Sequence, residues 1–226
     1  MRWAVPMVSR LLTATMTAGL LVATRRTMHN WGATKAECYR RLPGDEFVPD
    51  PAVVVTRAVT VNAPASEVWR WLVQIGQNRG GMYSYDSVEN LLGLEIHSTD
   101  EIRPEWQELR VGDEVRLVRR GWFGAAEGLA LPVVRLDEGE SLVLMEQPWH
   151  AVWSFHVHSR GPDRCRLISR SRSPRARGIT RMIGELFDPV TFVMTRKMLL
   201  GIKARAERSV GDAERTPTGA PDRVRS

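Results

Sequence analysis

The chain has 226 residues, 43% of them hydrophobic and 26% charged, with a formal net charge of +6. This is an ordinary globular balance, enough for one packed domain with terminal extensions. The basic excess is nearly all arginine and forms no basic arm, which argues against a nucleic-acid partner. The two cysteines, Cys38 and Cys165, have no CxxC or Cys/His ligand spacing. Neither a disulfide framework nor a zinc site is indicated, and a reduced compartment fits.

Residues 1–28 are read as a membrane anchor. Leu11 to Thr24 carries no charge, Arg25 and Arg26 follow, and Lys35, Arg40 and Arg41 lie beyond. That order places the domain on the cytoplasmic side. The uncharged run is short against the roughly 20 apolar residues of a span, and Pro6 and Arg10 oppose its extension. Two alternatives stay open: a signal with a poor cleavage site at Val22-Ala23-Thr24, and a loose segment of a cytoplasmic protein. Residues 29–51 are punctuated by Pro43, Gly44, Pro49 and Pro51. They read as a linker with one helical turn at Lys35 to Arg41.

The folded domain is expected over 52–209. Val53 to Val61 is β-branched and reads as a strand. Pro64 or Ala65 opens a helix with Glu67 in its first turn and Val68, Trp71, Leu72 and Ile75 at helical spacing. Gln77 to Gly81 is a loop. Asp86-Ser87-Val88-Glu89 resembles a capping box opening a second short helix that ends at Gly93. Five strands follow: Asp113–Val118, Ala130–Leu136, Ser141–Glu146, Ala151–His158 and Arg164–Arg172. Short turns between several of them predict an antiparallel meander. The last element is a helix whose apolar stripe runs through Ile179, Ile183, Leu186, Val190, Met194, Met198 and Ile202. Asp188-Pro189 predicts a break or bend in it. Residues 210–226 are polar and read as a disordered tail.

Three stretches carry a resemblance. Val59-Thr60-Val61-Asn62-Ala63-Pro64-Ala65-Ser66-Glu67-Val68-Trp69 resembles the opening strand and helix of the helix-grip superfamily, which includes START-like lipid-transfer domains and polyketide cyclase/dehydrase-like (SRPBCC) proteins. Gly80-Gly81-Met82-Tyr83-Ser84-Tyr85-Asp86 with Glu89-Asn90 resembles a bacterial subgroup. Pro104-Glu105-Trp106-Gln107 and Met194-Thr195-Arg196-Lys197-Met198-Leu199 resemble the same subgroup. The resemblance spans about Val54 to Glu207. It implies an α+β fold in which a curved antiparallel sheet wraps a long C-terminal helix around an apolar cavity, with two short helices after the first strand.

Strand alternation then nominates a lining. Trp153 and Phe155 share one face of their strand. Arg164, Arg166, Arg170 and Arg172 share the outer face of the next, which turns Leu167 inward. Met194 and Met198 close the other side. Tyr85 and Trp106, from the segments that carry the resemblance, complete the ligand-binding set. Tyr85, His97 and Glu105 are looser candidates for chemistry near a pocket mouth, and no catalytic residue is identified. His156 and His158 share a strand face but lack a third ligand, so they read as solvent-facing and no metal is expected. Gly76 to Gly81 lacks the ending of a phosphate-binding loop and reads as a helix cap. Asp86 and Glu89 are explained by capping rather than acid–base work. Arg170, Arg172, Arg175, Arg177 and Arg181 read as a solvated face ahead of anionic lipid or nucleic acid.

Two functions follow. The first is binding or transport of a hydrophobic, lipid-like or polycyclic molecule without a cofactor, with membrane association through the N-terminal segment. The alternative is a polyketide cyclase/dehydrase-like enzyme using the same cavity. An enzyme should place a buried, partnered carboxylate or histidine on the cavity wall.

Overall fold

The structure, a computed structural model, describes residues 19–20, 22–84, 97–121, 126–147 and 150–215. Among the described residues six strands form one sheet: β1 (Val53–Val61), β2 (Glu114–Val118), β3 (Leu129–Asp137), β4 (Ser141–Glu146), β5 (Ala151–Ser159) and β6 (Cys165–Ser173). The spatial order is β1-β6-β5-β4-β3-β2, antiparallel throughout, so the first strand pairs with the last. These spans match the alternating runs of the sequence to within one or two residues.

Four α-helices accompany the sheet among the described residues: α1 (22–29), α2 (Lys35–Tyr39), α3 (Ala65–Val73) and α4 (Gly178–Arg215). A short α2 survives because Thr34 and Glu37 form a reciprocal capping box. In α3 the acid of the first turn, Glu67, and the base of the last, Arg70, both suit the helix dipole. Its inner side buries Val68, Trp71 and Leu72. The core lies where the concave face of the sheet meets α3 and the C-terminal half of α4. There Val61, Phe155 and Leu167 pack with Leu199, Ile202 and Ala206.

The convex face is not open to solvent. Residues expected to be a linker lie across it, with Leu42 and Val48 buried against the sheet. Gly32, at φ 69°, brings the entering chain so close to β1 that a Cβ there would sit 2.1 Å from the Ala58 carbonyl oxygen. The arginines expected on a solvated face of β6 are spent holding this cover. Arg166 reaches the Glu37 carboxylate at 2.7 Å. Arg170 is 1% exposed and reaches Asp45 at 2.8 Å, while also donating to the Glu37 and Arg40 carbonyls. Arg172 donates to the Val48 carbonyl. His156, expected to face solvent, is fully buried under the same cover, and His158 is half-buried beside it.

The C-terminal helix departs from expectation twice. It continues through Pro189 without the expected break, although proline removes the donor that would bond the Glu185 carbonyl. Its apolar stripe is buried only from Met198 onward; Ile183, Leu186 and Val190 stand 49%, 75% and 51% exposed. The cause is length. Thirty-eight residues span about 57 Å, whereas a nine-residue strand such as β1 spans about 30 Å, so the N-terminal half of α4 outruns the sheet. α4 also continues to Arg215, into the stretch read as a tail. No described helix is long and apolar enough to cross a membrane. The N-terminal anchor falls largely on residues 1–18, and the second short helix and its capping box on 85–96; both lie outside the described residues.

Candidate functional site

The register fixes which side chains share the concave face. One row across the sheet runs Val55, Ser171, Trp153, Leu144; the row beneath runs Arg57, Ser169, Phe155, Leu142. The lower row is closed. Phe155 and Leu142 have no accessible surface, and Ser169 and Arg57 are 3% exposed. The upper row is not: Val55, Ser171 and Trp153 are only half-buried. Met194, one turn before the buried Met198, is likewise half-buried on α4.

Of the nominated residues, Trp153, Phe155 and Leu167 therefore share the concave face, and Met194 and Met198 belong to the helix over it. Their surroundings differ. Phe155 and Leu167 have no accessible surface and Met198 has 2%, so they meet protein atoms. Trp153 and Met194 are the half-buried members of the set. Trp106 sits elsewhere, in a polar cluster beyond α3: Arg103 stacks 4.9 Å from its ring and Arg79 donates to its carbonyl at 2.6 Å. Tyr85 lies outside the described residues. His97 and Glu105 are exposed.

Alternation also turns Glu146 inward, two residues beyond Leu144, opposite Ala151 and one step from Trp153. It is half-buried, and that burial raises its carboxyl pKa above the ordinary range. The sequence signal was available: Leu142, Leu144 and Glu146 share one parity, and an acid on an inward face is unusual. Among the inward positions of β1, β4, β5 and β6 the other ionisable groups are Arg57 and Cys165. Burial pushes the Cys165 thiol up to about 11, with the Glu207 carboxylate adding to the rise. Burial lowers Arg57 to about 10, which the Asp188 carboxylate partly offsets. Arg57 donates to the Met28 and Thr191 carbonyls and lies 5.4 Å from the Phe192 ring centre. It ties α1 and α4 to β1. The Trp153 indole N–H donates to Ser169 Oγ at 2.9 Å, and its ring lies 4.7 Å from Phe155 at 52°. The half-buried row thus offers an aromatic floor, the Ser171 hydroxyl and one carboxyl.

The polar cluster around Trp106 is centred on Gln74, next to the end of α3. Gln74 donates to the Tyr83 hydroxyl at 2.9 Å and the Glu101 carbonyl at 3.1 Å, and accepts from Arg103 N and Gln107. Tyr83 has φ 54° and is 1% exposed. Burial, the dominant effect, raises its phenol pKa well above the usual value. A Cβ at Gly201 would lie 2.2 Å from the Tyr83 carbonyl oxygen, so glycine lets α4 pass over this loop. The Gly80-to-Tyr85 motif is, in its described part, a packing device. Among the described residues no group of His, Cys, Asp and Glu could hold a metal ion.

No family model and no curated protein matches the chain. Solved structures do. A protein from Thermobifida fusca is 18% identical with a TM-score of 0.44, over 69% of this chain and 93% of its own. A START superfamily protein from Mycobacterium smegmatis is 15% identical with a TM-score of 0.41, over 69% and 98%. A norcoclaurine synthase point mutant from Thalictrum is 15% identical with a TM-score of 0.42, over 70% and 96%. The topology itself carries the assignment. A six-stranded antiparallel sheet whose first strand pairs with its last, gripping a long C-terminal helix, is an α+β helix-grip fold.

Proposed function

We propose that the protein binds or carries a hydrophobic, lipid-like or polycyclic small molecule at the uncovered end of the concave face, between the sheet and α4. The observation that carries this reading is Trp153: a large aromatic left half-buried beside a row that is buried throughout. Trp153 and Met194 would supply apolar contact, and Ser171 and Glu146 would orient one polar end of the ligand. The earlier set of Phe155, Leu167 and Met198 would form the floor beneath.

The test is uptake of the neutral dye N-phenyl-1-naphthylamine by the full chain. Met194→Trp should fill the space and weaken dye binding at least tenfold while far-UV circular dichroism is unchanged. A wild-type chain that fails to enhance dye fluorescence sinks the reading.

One observation favours the cyclase/dehydrase-like alternative. Glu146 holds its proton to higher pH than an ordinary carboxyl, as a general acid requires. Loss of water from a poly-β-ketone analogue, followed by mass spectrometry, should then occur with the wild-type chain and fail with Glu146→Gln.

A further inference from the structure

The N-terminal half of α4 exposes a continuous apolar face. Met182, Ile183, Leu186, Phe187, Val190 and Val193 are 46–75% exposed. At 100° per residue they fall within an arc of about 140°. This arc is rotated away from the side that meets the rest of the protein. That side carries Asp188, Thr191 and Phe192, which engage Arg25, His29, Arg57 and Trp31. α1 lies along it in the same direction, since Arg25 pairs with Glu185 and Trp31 with Phe192. It adds Leu20, just upstream, and Val22, 68% and 55% exposed. An apolar surface of this size on a folded domain marks an interaction site rather than random exposure.

The charges around it select the partner. Between residues 174 and 197 the cations are Arg175, Arg177, Arg181, Arg196 and Lys197, against only Glu185 and Asp188. Both acids already meet arginines. Exposed Arg175 and Arg177 precede the apolar face, exposed Arg26 lies on α1, and exposed Lys197 falls on the same face one turn past Val193. A second copy docked face to face, parallel or antiparallel, would bring cations of one copy against cations of the other. An anionic lipid surface accepts both the apolar arc and the cations at its ends. No described helix is long and apolar enough to span, which fits a helix lying in the plane of the interface.

We propose that the overhanging half of α4 docks the protein on the surface of an anionic lipid bilayer. The inference stands apart from the ligand reading. Its test is co-sedimentation of the full chain with vesicles of equimolar phosphatidylcholine and phosphatidylglycerol, compared with pure phosphatidylcholine. The wild type should prefer the anionic vesicles and be released by salt. Leu186→Asp with Phe187→Asp should reduce partitioning at least tenfold, and Arg175→Glu with Arg177→Glu should remove the preference for anionic lipid. All four side chains are exposed, so circular dichroism should not change. The proposal is overturned if the wild type stays in solution. It is also overturned if the α4 variants partition as the wild type does, which would place any anchoring in residues 1–18. A third overturning result is a dimer in sedimentation equilibrium that these variants split while vesicle binding is unmoved.

Discussion

His156 shows how a neighbour's position sets the chemistry of a side chain. Alternation assigns it outward, and outward it points, but residues 35–48 cover that face. Burial first, then the charges of His158 and Arg170, lower its pKa to about 3 from an ordinary 6.5. Its imidazole stays neutral in the folded state, with Ser154 Oγ at 3.0 Å from Nε2. The unfolded chain takes up a proton below pH 6.5 and the folded chain does not until about pH 3. His156 should therefore cost stability as pH falls through that window. Urea unfolding across a pH series should show His156→Gln flattening the slope below pH 6.5. Parallel curves for the two proteins would refute the assignment. Glu37 acts lower. Burial raises its pKa, but the hydrogen bonds from Arg166 and the Thr34 backbone outweigh this and bring it from 4.5 to about 2. Its stabilisation is complete above pH 4.5 and is lost as pH drops toward 2. Glu146 titrates in the opposite sense. If it donates to the ligand while protonated, affinity should fall as pH rises through its raised pKa, and Glu146→Gln should bind independently of pH. Dye titrations at several pH values measure this. Strand parity was readable for His156 and Glu146. The burial of His156 was not, because Leu42 and Val48 are isolated apolar residues in a proline-punctuated stretch and show no period.

α4 is the element where sequence periodicity and structure part. A stripe at steps of three or four predicts one face, and Ile183 to Ile202 satisfies it. Periodicity reports that a helix is amphipathic; it does not report what length of sheet faces it. Only the portion from Thr191 onward engages the sheet, where Arg57 meets the Thr191 carbonyl and the Phe192 ring, and the preceding turns carry their apolar arc into the open. Pro189 fits this division, because a missing backbone bond is better tolerated where few other contacts depend on the helix. Pro189→Ala should restore the bond to the Glu185 carbonyl, a change worth about 3 kcal/mol in a helix interior. The gain should remain local. Hydrogen exchange should slow over residues 185–193 while the urea midpoint moves little. A rise of the full amount in global stability would mean that the overhang unfolds together with the core. The strands were the most legible elements, and the antiparallel pairing of β3 through β6 followed from their short connections, whereas the pairing of β1 with β6 joins strands far apart in the sequence.

At the scale of the whole molecule, the sheet is a partition between two different kinds of burial. The concave side is apolar and held by α3 and α4. The convex side is held by charge: Arg166, Arg170 and Arg172 bind residues that precede the first strand. The folded unit therefore begins well before Ala52, and residues 35–48 are part of the domain. The pair that should matter most is Arg170 with Asp45, whose side chains are 2% and 6% exposed. Asp45 also accepts from the Leu42 backbone N–H at 3.0 Å, so it fixes the turn as well as the guanidinium. Removing it strands a buried positive charge, and breaking such a pair costs about 3–5 kcal/mol. Three backbone carbonyls, those of Glu37, Cys38 and Arg40, still accept from Arg170, so Asp45→Ala should fall near the lower end. Arg170→Met in the same chain should recover part of the loss, because no buried charge then remains unpaired. Urea unfolding of the wild type, the two single variants and the double variant measures the coupling directly. A cost below about 1 kcal/mol for Asp45→Ala, the size of an exposed ion pair, would mean that the cover rests on the sheet without stabilising it.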